Sequence, residues 1–218
     1  MHIAVDWPGD PGFKPGTLSY CAMSVVVSQT AQEIEDALTD VRRKRSLPKD
    51  KKGKDFEFKF AKTNLPAKVD FMQRVALTSF RAVVLIYDKD AMSPKWAWGK
   101  KDDLLVQLLA GCVLQLTQPE IAGSKMMIDG EAEAKKVGRL VRPKLSEAWT
   151  RAGLSARLRS PIVNGDSKDY DPLQLADMIG GAVVEAWQQG VPYTLLMRPV
   201  RGKVMWSVVA PGQPKPVP

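Results

Sequence analysis

The sequence predicts an α/β fold in which helices flank a mixed β-sheet, and two observations support this prediction. First, three short apolar runs each end in an aspartate, at Asp6, Asp88 and Asp129. Continuous apolar runs bounded by turn residues are typical of strands that are buried on both faces. Second, stretches with apolar residues at helical spacing separate and follow these runs. Because open α/β sheets carry their chemistry at strand ends, the aspartates also indicate where a functional site is expected.

Composition and charge exclude several classes of function. The chain of 218 residues contains one histidine, His2, which excludes an ordinary Ser-His-Asp triad and a zinc site with several histidines. Its two cysteines, Cys21 and Cys112, lie in apolar contexts, which fits two buried thiols in the reducing cytoplasm. No signal peptide is recognised, and no apolar run approaches the roughly 18 residues that a membrane span needs. The net charge of +8 permits a polyanionic partner.

Hydrophobic periodicity predicts ten strands and helices followed by a hairpin. The strands are expected at 3–6, 18–27, 55–62, 81–90 and 124–129, and the helices at 31–46, 67–79, 103–116, 132–152 and 171–189. A hairpin over 193–199 and 203–209 follows the last helix. Residues 1–210 are expected to form one domain, and the Pro-rich residues 211–218 a disordered tail.

Three of these elements carry specific local signals. Phenylalanine alternates with other residues over 55–62, which is typical of a half-buried strand. Asp171 and Gln174 have the spacing of a capping box, which would explain Gln174 without any function. Gly180 and Gly181 are each unfavourable by roughly 1 kcal/mol in a helix interior, so the pair predicts close approach of another chain segment.

Basic residues gather in two regions. The run over 42–45 and 49–54 is either a solvated loop or an arm that contacts phosphate groups. The amphipathic helix over 132–152 carries further basic residues on its wetter sides, namely Lys135, Lys136, Arg139, Arg142 and Lys144.

With the helix over 31–46 set aside, the element order resembles the ribonuclease H-like arrangement. That arrangement has three antiparallel strands and then two parallel strands on the other side of the first. The ends of the first and fourth strands are neighbours in it, and a later helix lays an acid across them. The predicted fold is therefore a ribonuclease H-like mixed sheet with a C-terminal helix and β-hairpin extension.

Several blocks of the sequence resemble the domain of unknown function 3800 family. They are Ile3 to Asp10, Glu57-Phe58-Lys59-Phe60, Tyr87-Asp88-Lys89, Ile128-Asp129-Gly130, and Asp166-Ser167-Lys168 followed by Leu173 to Ile179. The last block is the most specific of them. The resemblance implies a ribonuclease H-like fold and nuclease activity. Trp7 departs from the family pattern, since it stands where the family opening has a glutamate; its effect depends on whether that glutamate binds metal or only forms a turn.

The acids predict a site for Mg²⁺ or Mn²⁺, because several carboxylates brought together repel one another unless a cation or a proton intervenes. Asp6, Asp129 and Asp177 are the first candidate ligands. Asp10 and Asp88 are candidate ligands as well, although both are equally well explained as turn-capping residues. Glu57 lies on the polar side of its segment, where an exposed acid is the default, and only the family resemblance adds it to the catalytic set.

Four further residues are candidates for substrate contact. Lys59 and Lys62 are placed to contact a phosphate, although Lys59 is also explained by pairing with a neighbouring acid. Ser167 and Lys168 are expected to orient the substrate, unless they only form a turn. Two tryptophans, Trp96 and Trp98, either stack on bases or cover the edge of the core.

Two functions remain open from the sequence. The first is a metal-dependent nuclease that hydrolyses phosphodiester bonds in nucleic acid with the carboxylates above. The second is a catalytically inactive module of the same fold that binds nucleic acid or a protein partner and keeps the acids for structure.

Overall fold

The fold was analysed in a computed structural model that describes residues 1–12, 18–49, 51–91, 101–130, 132–151, 162–191 and 194–209. The strands within these residues are β1 (His2–Asp6), β2 (Tyr20–Ser28), β3 (Phe80–Asp88), β4 (Lys125–Asp129), β5 (Val163–Gly165) and β6 (Val204–Val209). The helices are α1 (Gln32–Lys44), α2 (Leu65–Val75), α3 (Lys101–Val113), α4 (Gln118–Ile121), α5 (Ala132–Arg151) and α6 (Asp171–Gln188). None of the helices in the described ranges is both long enough and apolar enough to cross a membrane.

The described strands form a sheet with the order β5-β4-β1-β2-β3-β6. Strands β1, β2 and β3 are antiparallel neighbours, while β4 and β5 lie parallel to β1 on its other side. A mixed sheet flanked by helices is therefore confirmed, but its strands are not the predicted ones. The third antiparallel strand is β3, which was expected to be a parallel neighbour of β1, and the parallel strand β5 was not predicted. Strand β6 extends the sheet beyond β3 and runs parallel to β3.

Each face of the sheet is covered by helices, because alternate residues of the central strands point to opposite faces. On one face, Ala4 and Val26 pack with α1, α2 and α6. On the other face, Val5 and Val25 pack with α3 and α5. The central strands are apolar on both sides, which explains why the sequence shows continuous apolar runs there instead of alternation.

Two predicted strands are wrong. Phe58 is fully buried as the alternation over 55–62 predicts, but these residues form no strand of the sheet: the chain lies extended against α6 up to Lys59 and then turns. The predicted hairpin is also absent from the described residues: 194–200 form turns and a short 3₁₀ helix, and only its second half, β6, is a strand. The predicted disordered tail at 211–218 lies outside the described residues.

The two adjacent glycines of α6 lie where other segments approach the helix, as predicted. A Cβ atom on Gly180 would lie 2.8 Å from a side-chain carbon of Pro8 and 3.0 Å from Cβ of Ser24. A Cβ atom on Gly181 would overlap the side chain of Phe60. The glycines therefore let β2 and the extended segment lie directly against the helix.

We expect Gly181→Ala to destabilise the fold even though alanine favours helices by about 1 kcal/mol over glycine. Overpacking against Phe60 should outweigh this gain, lowering the free energy of unfolding by about 1–3 kcal/mol. Chemical denaturation measures the change. Gly202→Ala is the control, since no atom lies within 4 Å of a Cβ there; equal stability of both variants would contradict the packing argument.

Candidate functional site

The site begins with two aspartates that leave neighbouring strands at the same level. Val5 of β1 lies opposite Ile128 of the parallel strand β4, so the next residues, Asp6 and Asp129, lie side by side. Neighbouring strands are about 4.8 Å apart. Asp6 also lies opposite Ser24 of β2, and its side chain, which is 9% exposed, points toward α6.

Helix α6 contributes the third acid, Asp177, which is hydrogen-bonded to Asp6. We call Asp6, Asp129 and Asp177 the aspartate cluster. Burial, reinforced by the charges of Asp177 and Asp129, raises the pKa of Asp6 to about 8. Burial also raises the pKa of Asp177, although the hydrogen bond from the Phe60 N–H opposes it. Ionisation of the Asp6 carboxyl is therefore unfavourable beside Asp177 and Asp129.

An extended segment, residues 56–60, lies along α6 and is held by side chains of that helix. The Phe58 N–H donates to Oε1 of Gln174 at 2.8 Å, and the Phe60 N–H donates to Oδ2 of Asp177 at 2.6 Å. Gln174 and Asp177 are three residues apart and so lie on one face of the helix. Their side chains supply the acceptors that a neighbouring strand would supply in a sheet. The alternation then directs Glu57 and Lys59 away from the apolar core.

An ion pair between α1 and α6 fixes the start of this segment. Arg42 makes two hydrogen bonds to the carboxylate of Asp171, at 2.6 and 2.8 Å, and donates from Nε to the Phe56 carbonyl at 2.9 Å. Gln174 accepts a further bond from Arg42 at 3.2 Å and donates to the Ser167 carbonyl at 2.6 Å. The helix starts at Asp171 with Tyr170 as its N-cap, so the predicted capping box is wrong. Gln174 instead joins three segments of the site.

Lys59 places a cation against the aspartate cluster. Its Nζ atom lies 2.9 Å from Oδ2 of Asp129 and 3.6 Å from Oε1 of Glu57. Burial alone would lower the pKa of Lys59, but the hydrogen bond to Asp129 and the charges of the cluster outweigh burial and raise it. The other oxygen of Asp129 accepts from the Ser167 N–H at 3.1 Å, and the Ser167 hydroxyl donates to Glu57 at 2.7 Å.

The structure therefore brings together Asp6, Asp129, Asp177, Glu57, Lys59 and Ser167. It does not bring Asp10 or Asp88 to them. Both lie at the level of Tyr20 in the antiparallel sheet, four residues or about 13 Å along the strands from the level of Asp6. Asp10 accepts from the Gly12 N–H and Asp88 from the Asp90 and Ala91 N–H groups, as turn-capping residues do.

The remaining predicted contacts lie at the margin of the site or outside the described residues. Lys62 and Lys168 are exposed, on turns that follow Lys59 and Ser167. Trp96 and Trp98 lie outside the described residues. Trp7 stands where the opening of the domain of unknown function 3800 family has a glutamate. Its side chain packs against the core on the opposite face of the sheet, while its backbone N–H donates to the carboxyl group of Asp6.

Sequence reasoning missed three residues that shape the site. Arg42 lies in a basic run, where its bond to Asp171 gave no separate signal. Gln174 was interpreted as part of a capping box, so its bonds to Phe58 and Ser167 were not expected. Ser24 gave no signal, because a serine within an apolar strand is indistinguishable from a small core residue. Its hydroxyl is fully buried next to Asp6 and has no hydrogen-bond partner in the described structure.

The donor atoms of the site fit a hard divalent cation, with one complication. Carboxylate oxygens and hydroxyls are the ligands that Mg²⁺ and Mn²⁺ prefer, and the unpartnered Ser24 hydroxyl leaves a polar group for a metal-bound water. In the described residues, however, no three His, Cys or carboxylate side chains converge closely enough to hold a metal ion. The Lys59 ammonium lies against the acids and partly balances their charge.

The mixed sheet flanked by helices is similar to a ribonuclease H-like fold, and comparison with solved structures supports this similarity. The fold is similar to that of ribonuclease HII from Archaeoglobus fulgidus, solved in complex with PCNA. The TM-score is 0.53 at 13% identity, over 87% of this chain and 74% of that one. Neither a protein-family model nor a curated protein matches the sequence. The resemblance to the domain of unknown function 3800 family thus stays a prediction.

The raised pKa of Asp6 predicts an unusual dependence of stability on pH. Between about pH 4 and about pH 8 the folded state keeps a proton that the unfolded state has lost, so stability falls as pH rises through this window. Asp6→Asn should flatten the decline and stabilise the fold by a few kcal/mol near pH 8. Denaturant titrations in the presence of a chelator, repeated from about pH 4 to about pH 8, measure the free energy of unfolding of both proteins. Asp88→Asn should keep the wild-type slope; a slope unchanged in Asp6→Asn would contradict the assignment.

Proposed function

We propose that the protein is a nuclease that hydrolyses phosphodiester bonds in nucleic acid with Mg²⁺ or Mn²⁺. The observation that carries this proposal is the aspartate cluster: the buried Asp6 and the half-buried Asp129 at neighbouring strand ends, and a third, half-buried acid from α6. Burying carboxylates in this way is unfavourable unless a cation offsets it. The fold similarity to a ribonuclease HII supports the reaction class by analogy only.

Each residue of the site has a distinct place in this proposal. Asp6, Asp129 and Asp177 would hold the metal, with Glu57 as the adjoining carboxylate. A divalent ion bound there activates a water and stabilises the leaving oxygen. Glu57 holds the hydroxyl of Ser167, which with Lys59 would orient a phosphate group.

The distribution of positive charge supports nucleic acid as the substrate. The basic residues over 42–45, at the end of α1, are paired with acids: Arg42 with Asp171, Arg43 with Asp40, and Lys44 and Arg45 with Asp70. These pairs favour the interpretation of 42–45 as a solvated segment over that of a phosphate-binding arm.

Helix α5, by contrast, presents Lys135, Arg139 and Arg142 to solvent, and in the described structure none of the three forms an ion pair. They line a groove of about 570 Å³ beside Ile162. Their spacing puts them in one row of about 10 Å along α5. The row begins near the N-terminal end of this helix, which is the end closer in sequence to Asp129. Such a row suits the phosphates of one strand, which lie about 3.4 Å apart along a duplex.

One observation favours a second candidate, the catalytically inactive binding module. Lys59 already supplies a positive charge to the acids, so the cluster exists without a metal. In that case nucleic acid would bind through the basic row, and the aspartates would serve the fold alone.

Metal binding and cleavage separate the two candidates. We expect calorimetry to detect Mn²⁺ binding by the wild type and a loss of at least about 100-fold in affinity in Asp6→Asn/Asp177→Asn, because two ligands are removed. Cleavage of single- and double-stranded DNA and RNA should fall by more than about 100-fold.

The matched control is Asp10→Asn/Asp88→Asn, which removes two turn-capping acids outside the cluster and should keep wild-type Mn²⁺ affinity. If the wild type cleaves none of these substrates, and the Asp6→Asn/Asp177→Asn variant binds nucleic acid with wild-type affinity, the protein is the catalytically inactive binding module.

A separate prediction concerns the basic row of α5. Lys135→Gln/Arg139→Gln/Arg142→Gln should weaken nucleic-acid binding and reduce the slope of log affinity against log salt by about 2–3, because three phosphate contacts are lost. Fluorescence anisotropy at several salt concentrations measures this. Arg43→Gln/Lys44→Gln/Arg74→Gln removes the same charge from cations that are paired with acids. An equal loss in both variants would mean that net charge, and not the row, governs binding.

A further inference from the structure

Lys59 occupies the side of the aspartate cluster where a metal ion would find its oxygen ligands. Its ammonium bonds to Oδ2 of Asp129 at 2.9 Å and approaches Glu57 at 3.6 Å, and its side chain is only 26% exposed. An ammonium and a divalent ion both need carboxylate oxygens and carry charge of the same sign. The two cations therefore compete for Asp129 and Glu57.

The backbone on both sides of Lys59 is held by α6. Phe58 bonds to Gln174, and Phe60 bonds to Oδ2 of Asp177, which belongs to the cluster itself. A metal ion bound by this oxygen of Asp177 would draw on its electron density and so weaken the hydrogen bond from the Phe60 N–H. Binding of metal would thus act on Lys59 twice, by repelling its charge and by loosening the segment that carries it.

We propose that Lys59 is a built-in competitor of the divalent ion, so that metal enters the aspartate cluster only when Lys59 leaves and segment 56–60 loosens at Phe60. This inference rests on the metal site of the proposed function. A phosphate group near the site would attract the displaced ammonium, so nucleic acid and metal should each raise the affinity for the other.

The first test compares Mn²⁺ affinity by calorimetry in the wild type, Lys59→Met, Lys59→Arg and Lys62→Met. Lys59→Met removes the competing charge at nearly constant length and should bind Mn²⁺ at least about tenfold more tightly than the wild type. Lys59→Arg keeps the charge, and Lys62→Met changes an exposed lysine on the adjoining turn. The Mn²⁺ affinities of Lys59→Arg and of Lys62→Met should match the wild-type affinity to within about twofold.

The outcomes separate this inference from the proposed function. If the wild type and Lys59→Met bind Mn²⁺ equally well, Lys59 is not a competitor, although the metal site stands. If neither binds Mn²⁺, the metal site is wrong and the inference with it.

A second measurement needs no variant and so does not depend on the folding of Lys59→Met. Amide hydrogen exchange of the wild type with saturating Mg²⁺ should show the Phe60 amide exchanging at least about tenfold faster than without Mg²⁺. The amides of β3, which contributes no residue to the aspartate cluster, serve as the internal reference and should not exchange faster. Mg²⁺ binding that leaves the Phe60 amide as protected as before would overturn the proposed loosening of the segment.

Discussion

Insufficient positive charge around the buried Asp6 and the half-buried Asp129 and Asp177 is the constraint on which the site depends. Asp6 and Asp129 are placed side by side by the register of β1 and β4, and α6 lays Asp177 over them. The Lys59 ammonium lies against Asp129, and burial next to the other acids raises the pKa of Asp6, which favours its protonated form. A bound divalent ion would offset the same negative charge.

The scaffold that holds this arrangement is polar where it meets the site and apolar behind it. Gln174 and Asp177 accept backbone hydrogen bonds from segment 56–60, while Phe58 is fully buried on the other side of that segment and packs against Phe71. The glycines of α6 permit the close contact. Removing any one of these features would move Lys59 relative to the acids.

The sequence predicted a mixed sheet and the three acids because both follow from local patterns, but it misplaced two strands, taking 55–62 as the third antiparallel strand and 81–90 as a parallel one. A buried run that ends in aspartate identifies a strand end, and strand ends of parallel neighbours meet at one edge of the sheet. The prediction of a strand was wrong for segment 56–60. Alternation indicates a half-buried extended chain, but it does not show whether a strand or a helix supplies the hydrogen-bond partners. The predicted hairpin was wrong because β6 pairs with β3, more than 100 residues earlier, and periodicity carries no information on pairing. The roles of Arg42 and Gln174 depend on tertiary contacts that no local pattern shows.

The residues of the site are scattered along the chain, and this has a consequence for folding. Lys59 meets Asp129 across 70 residues, Glu57 meets Ser167 across 110, and Phe58 meets Gln174 across 116. Contacts between such distant residues require long loops to close, which slows folding. The site exists only once segments from both halves of the chain have docked, so a cation that binds the acids stabilises the fully assembled fold and no partly folded piece of it.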